Sequence, residues 1–287
     1  MIRAWKKELW KALHNPLFYT ALAIGLGVAL TDVVQSRIYA DEWLFNQKNF
    51  YYLPNGVKWG GGSIEANGLF DNWIGAGLNN LAQIVYYVAL PLLAAMAYGW
   101  AELTEKKSGY RNQLCVRETV RVRLLSRYLA AFTAGGTVAA VPLIVNVLIG
   151  AMVLPAAVSS PASMSTPMNN LQCGSLLYFE YPWLFVLLSI VLVFFWGGAF
   201  CCLSLAAGLF LRNRILTVFF PFLCCLALEM GYQTGVIQME TELSPIVLMH
   251  LVTMQVTSGA VVLGEIGILL LLSFGIFWIG GKREEGL

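Results

Sequence analysis

The sequence predicts an all-α integral membrane protein with six transmembrane helices, an N-terminal interfacial amphipathic helix, and a re-entrant or interfacial helix between spans five and six. Three observations predict it. Of 287 residues, 58% are hydrophobic and 12% charged, about half the charge of a soluble globular domain. Apolar runs close to the ~20 residues that cross a hydrocarbon core recur six times. The basic residues gather at alternate ends of those runs. A net charge of +2, distributed over span ends rather than on one open face, excludes a nucleic-acid binder and a disordered chain.

Taken in order, the spans are residues 16–34, 80–100, 128–154, 183–211, 215–236 and 260–280. Pro91, Pro142 and Pro221 fall inside spans two, three and five, where membrane helices tolerate the missing donor better than soluble helices do. Fifteen of the 18 Lys and Arg residues lie on the side of the N-terminus, seven of them within 102–127; Arg37, Lys48 and Lys58 lie on the other side. The positive-inside rule therefore expects both termini in the cytoplasm. A cleaved signal peptide is the rival reading of span one, but Leu30-Thr31-Asp32-Val33 lacks a small-x-small cleavage pattern.

Ahead of span one, Ile2, Trp5, Leu9 and Leu13 recur at helical spacing with Lys6, Lys7 and Lys11 elsewhere around the wheel. Residues 1–15 read as an interfacial helix, or more plainly as a basic anchor. The loop at 35–79 carries nine aromatics (Tyr39, Trp43, Phe45, Phe50, Tyr51, Tyr52, Trp59, Phe70 and Trp73), so it either folds over the outer mouth as a lid or supplies an interfacial aromatic belt. The connection at 155–182 reads as a plain extracytoplasmic loop. Within 237–259 the apolar run from Ile246 to Val256, broken by His250, Thr253 and Gln255, is too short to cross and reads as an outer re-entrant segment.

The inventory for catalysis is thin. His14 and His250 are expected on opposite sides of the membrane, and no G-x-S-x-G, H-E-x-x-H, C-x-x-C or phosphate-loop pattern occurs. ATP, if used, is bound by another chain. Cys201, Cys202, Cys224 and Cys225 flank the turn at Asn213 symmetrically, which would bring four sulfurs to similar depth for a soft metal; small apolar packing residues are the simpler reading, and no metal site is expected. Glu229 and Glu265, near the outer ends of spans five and six, should face protein or water and are candidates for lining a pathway.

The segment 101–127 is the richest in charge. Acids (Glu102, Glu105), then Lys106 and Gly109, then a basic stretch with Arg111, Glu118 and Arg121 running into span three suggest a short cytoplasmic helix that docks on a partner. With this layout the chain resembles the permease subunits of the type-2 ABC exporter family, in which an interfacial helix precedes six spans and a short segment running from an acid to a glycine in the second-to-third loop couples to the ATPase. The segment at Glu105-Lys106-Lys107-Ser108-Gly109 carries the resemblance, although Tyr110 stands where a threonine is common and the usual following proline is absent.

The resemblance implies a single transmembrane permease domain over 1–287, without a nucleotide site of its own, in the bacterial cytoplasmic membrane. It would work with a second permease and two cytoplasmic ATPase subunits that bind ATP and Mg, exporting a peptide, lipid-linked or hydrophobic drug-like substrate. The alternatives are a membrane-embedded enzyme using Glu229 and Glu265, and a non-transporting scaffold or sensor.

Overall fold

The computed structural model describes residues 2–50, 68–76, 80–108, 119–158, 174–235, 244–250 and 259–283, with side chains of 42–50 left aside. The chain is an all-α membrane protein: six helices are long and apolar enough to cross a bilayer. In chain order the helices are α1 (Ile2–Leu13), α2 (Pro16–Phe50), α3 (Leu69–Asn72), α4 (Leu81–Tyr98), α5 (Ala101–Ser108), α6 (Val120–Val153), α7 (Ser175–Glu180), α8 (Pro182–Ala207), α9 (Arg214–Gln233), α10 (Pro245–Leu248) and α11 (Gly259–Arg283). The spans are α2, α4 with α5, α6, α8, α9 and α11.

Several boundaries move, each for a physical reason. The first span does not stop at Val34, because helix α2 runs on to Phe50. Apolarity ends there, but residues 35–50 contain no Gly or Pro to break the helix, and Arg37 pairs with Asp41 one turn on at 3.0 Å. The charged segment 101–127 is also less of a loop than expected: α5 continues span two after a short turn, and α6 starts at Val120, a full two turns before the apolar run. Gly109, Arg111 and Glu118 lie outside the described residues. Span four ends at Ala207 rather than 211. The connection at 155–182 is not plain either, since α7 buries Tyr178 completely.

Among the described residues the predicted re-entrant segment contributes one helical turn, α10, flanked by buried Ser244 and His250; residues 237–243 and 251–258 lie outside the described set. In the aromatic loop, residues 68–76 are buried throughout, and Phe70 meets Trp183 edge-on at 5.0 Å. This stretch, called the lid below, packs into the core at the distal end of the bundle, the end away from the N-terminus. Trp59, Tyr51 and Tyr52 lie outside the described residues.

Spans two, three and four form the centre. Spans one, five and six pack around them and expose apolar side chains such as Leu263, Leu271 and Ile279, as lipid-facing surfaces do. The tightest crossing is between α6 and α8. A Cβ added at Gly135 would lie 2.6 Å from the Gly197 carbonyl oxygen, and one added at Gly197 would lie 2.7 Å from the Gly135 carbonyl oxygen. Neighbouring Gly136 and Gly198 face Phe194 and Phe132 in the same way. Because lipid is as apolar as leucine, close backbone approach rather than hydrophobic exclusion holds such helices together.

Two core clusters stack along the bundle. The basic half holds Phe18, Tyr98, Leu124, Tyr128, Cys201, Cys202 and Phe277; the distal half holds Phe70, Trp73, Tyr86, Tyr87, Leu143, Trp196, Phe200 and Cys225. Gly197→Val should destabilise the detergent-solubilised protein by about 3 kcal/mol or more, read as a lowered unfolding midpoint, whereas Gly264→Val on the open face of α11 should leave it within about 0.5 kcal/mol.

A candidate functional site built on buried ions at the basic end

Helix α1 divides into three sectors. Ala4, Glu8 and Ala12 share the face packed on the bundle, the two alanines permitting close approach. Trp5, Leu9 and Leu13 lie beside it, half-buried, and Arg3, Lys6 and Lys7 are exposed on the far side together with Trp10. The apolar stripe read from the sequence is therefore the flank of the docking face, and the residue at the centre of that face is an acid.

Glu8 projects into a network formed by three other pieces of chain. Span two delivers Tyr98 in its last turn and then Glu102 and Glu105 on α5. Span three delivers Arg127, because the early start of α6 turns Arg123 and Arg127 inward, one turn apart, and Arg121 outward. Arg127 is 1% exposed and uses its guanidinium fork on two carboxylates at once, Nη1 to Glu102 and Nη2 to Glu105. Its Nε lies 3.6 Å from Glu8 Oε2. The Tyr98 hydroxyl donates to that same oxygen at 2.6 Å, and Lys11 Nζ bonds Glu8 Oε1 at 2.9 Å and approaches Glu105 at 3.6 Å.

Arg127 and Lys11 thus meet three carboxylates, and a phenol donates to one of them. Burial would raise the Glu8 carboxyl, but the Arg127 charge and the hydrogen bonds from Tyr98 and Lys11 outweigh it and hold the group below the ordinary carboxylate range. A planar guanidinium fork that bonds one carboxylate with each terminal nitrogen is directional, so the network fixes geometry as well as charge.

The two positions expected to dock on a partner, Glu102 and Glu105, are thus turned into the protein: Glu102 is fully buried and Glu105 is 14% exposed at its side chain. Lys106 and Arg121 are exposed at the same end. At the distal end, the Ser244 hydroxyl at the start of α10 donates to Glu229, and Gln233 Nε2 donates to its other oxygen at 2.9 Å, so this carboxylate tethers the short helix to span five. Glu265 is half-buried beside Cys225, with Oε2 buried and without a hydrogen-bond partner among the described residues.

The cysteines are not brought together. Cys202 lies five residues from the end of α8, whereas Cys224 lies ten residues into α9. The stretch between the helices is not helical, so equal spacing along the chain does not give equal depth. Among the described residues no group of three or more His, Cys, Asp or Glu could hold a metal. His250, expected in the outer re-entrant segment, is buried against Tyr87 with ring centroids 3.4 Å apart, and burial lowers its pKa to about 3.

Sequence reading missed Glu8, Tyr98 and the partnership with Arg127. The available signal was that Glu8 is the only acid before Asp32 in an otherwise basic N-terminal segment. No protein-family model, curated protein or solved structure matches this chain.

Removing one member of a buried ion network leaves the others uncompensated. Arg127→Met should cost about 3–5 kcal/mol, read as loss of folded protein on size exclusion in detergent. Glu8→Gln should be milder and local, exposing the bond after Lys11 to limited trypsin digestion while the six-span body stays folded. The pH dependence has a definite sign. A carboxyl whose folded pKa is lowered contributes stability that is full above the ordinary value of about 4.3 and fades as pH falls through the lowered value. Trypsin-resistant docking of α1, tested by acid incubation and return to neutral pH, should therefore survive mildly acid conditions.

Proposed function

We propose that the chain is the permease subunit of an ATP-driven exporter of the type-2 ABC kind, working with a second permease copy or relative and with separate ATPase subunits. The observation that carries this reading is mechanical. Arg127 ties α1, the end of span two and the start of span three into one body, and the chain segment between α5 and α6 joins two of those three pieces. A push on the connection from a cytoplasmic motor would reach two central spans and the N-terminal helix together, instead of bending one helix end. Lys106, Lys107 and Arg121 stand exposed on either side of the connection, suited to an acidic docking groove, while Glu102 and Glu105 serve as the internal anchor. On this reading Glu229 and Glu265 line the distal end of the pathway, and ATP and Mg belong to the partner.

The deciding experiment is co-expression with ATPases encoded in neighbouring reading frames, purification in mild detergent, and assay of co-eluting ATP hydrolysis. A stable complex is expected. Combined Lys106→Glu and Arg121→Glu should lower ATPase retention about tenfold, equal to 1.4 kcal/mol, with insertion unchanged; a retention that ignores this reversal removes the docking surface. For topology, a membrane-impermeant maleimide applied to intact cells should label a Cys173-only variant and spare a Cys115-only variant.

A further inference from the structure

At the distal end a second buried carboxylate sits in a different electrical setting. Asp32 of α2 is 1% exposed, and amides are its hydrogen-bond partners. Its Oδ2 accepts from Asn146 Nδ2 of span three at 2.9 Å, and its Oδ1 accepts from Asn80 Nδ2, at the cap of span two, at 3.5 Å. Arg37 and Asp41, farther along the same helix, pair with each other at 3.0 Å. From span two, Tyr87 is the titratable group within electrostatic reach of Asp32. From the lid, Asp71 accepts the Tyr178 hydroxyl at 2.5 Å.

The amides that hold Asp32 also hold the lid. Asn146 Oδ1 accepts the Ile74 N–H at 3.1 Å, and its Nδ2 reaches the Ala29 carbonyl at 3.0 Å as well. Asn80 Nδ2 also donates to Ser36 Oγ at 3.2 Å, and the Ser36 hydroxyl donates to the Asn72 carbonyl at 2.9 Å. Gln83 Nε2 donates to the Asn72 and Trp73 carbonyls at 3.3 Å each. One carboxylate therefore stands behind contacts from three spans to residues 72–74.

A carboxylate and a carboxylic acid make different demands at this position. The carboxylate only accepts, which suits two amide N–H donors. A proton on either oxygen removes the charge and turns one accepting position into a donor, so the acid holds the amides more weakly than the carboxylate does. A loosened Asn146 slackens the hold on the Ile74 N–H, and a loosened Asn80 withdraws the donor that positions the Ser36 hydroxyl, leaving Gln83 on the Asn72 carbonyl. Acids within membrane spans that lack a cation are candidates for function on cost alone.

We propose that Asp32 is a proton-binding site that governs the lid at residues 68–76: as a carboxylate it clasps the lid through Asn146 and Asn80, and on taking up a proton it releases it. This assignment goes beyond transport and requires no ATPase.

The test is hydrogen–deuterium exchange of the full chain in phosphatidylglycerol–phosphatidylethanolamine nanodiscs, with peptides covering 68–76 corrected for the intrinsic pH dependence of exchange. Protection of the lid should fall at least about tenfold between about pH 8 and about pH 4. Asp32→Asn puts an amide N–H where the acid would carry its O–H, so it should show the low protection at both limits and no step. Ser36→Ala should lower protection at both limits and keep the step. His250, which stacks on Tyr87, stays neutral until about pH 3 and lies outside this window. A wild-type lid without a step, or a step that survives in Asp32→Asn, overturns the proposal. Should Asp32→Asn fail to insert, Asn146→Ser combined with Asn80→Ser removes both clasping amides and must likewise abolish the step; a step persisting there overturns the proposal equally.

Discussion

A guanidinium buried at the end of a membrane helix has to be answered by carboxylates, and Arg127 is answered from two other helices. Its charge is tolerable in that position because Glu102 and Glu105 meet its fork and Glu8 closes the third side. The rest of the basic end follows from this constraint. Helix α5 must extend span two to bring its acids within reach, α6 must begin early enough to turn Arg127 inward, and α1 must lie across both with two alanines on its docking face. A geometry that missed any of these would leave a charge stranded in a poorly solvated place.

The centre of the bundle answers a different constraint. Where lipid and side chains are equally apolar, helices gain from contact only if their surfaces fit, and Gly135 against Gly197 lets two backbones approach to a distance that a methyl group would forbid. Spans three and four are thereby rigid relative to each other, while spans five and six present broad apolar faces outward. The chain therefore combines a stiff pair in the middle, a charged clasp at one end and a network of amides at the other.

The sequence made the class of fold legible because the membrane imposes a strong pattern: six apolar runs, basic ends, and prolines that only a lipid-embedded helix would carry. Helix ends were less legible. Hydropathy marks where the bilayer stops, so it could not show that α2 continues to Phe50 or that α6 starts at Val120. The ion network was legible as composition but not as geometry. Glu102 and Glu105 stood out as charges, and a charge between spans is ordinarily read as solvated; that both turn toward Arg127 depends on helix phase, which a loop-like segment does not reveal. Asp32 and Asn146 were hidden inside runs whose average is apolar. The sulfur spacing misled because counting residues across a turn assumes that helical rise continues through it.

Glu8 and Arg127 also impose an order of assembly. Translation delivers the N-terminal helix first, when neither Glu102, Glu105 nor Arg127 has yet been made. Until spans two and three have entered the bilayer, Glu8 lacks both the Tyr98 hydroxyl and the Arg127 charge, and Lys11 of its own helix is its partner. Helix α1 is therefore made before the partners that secure it, and its docking requires that the ends of spans two and three have come together.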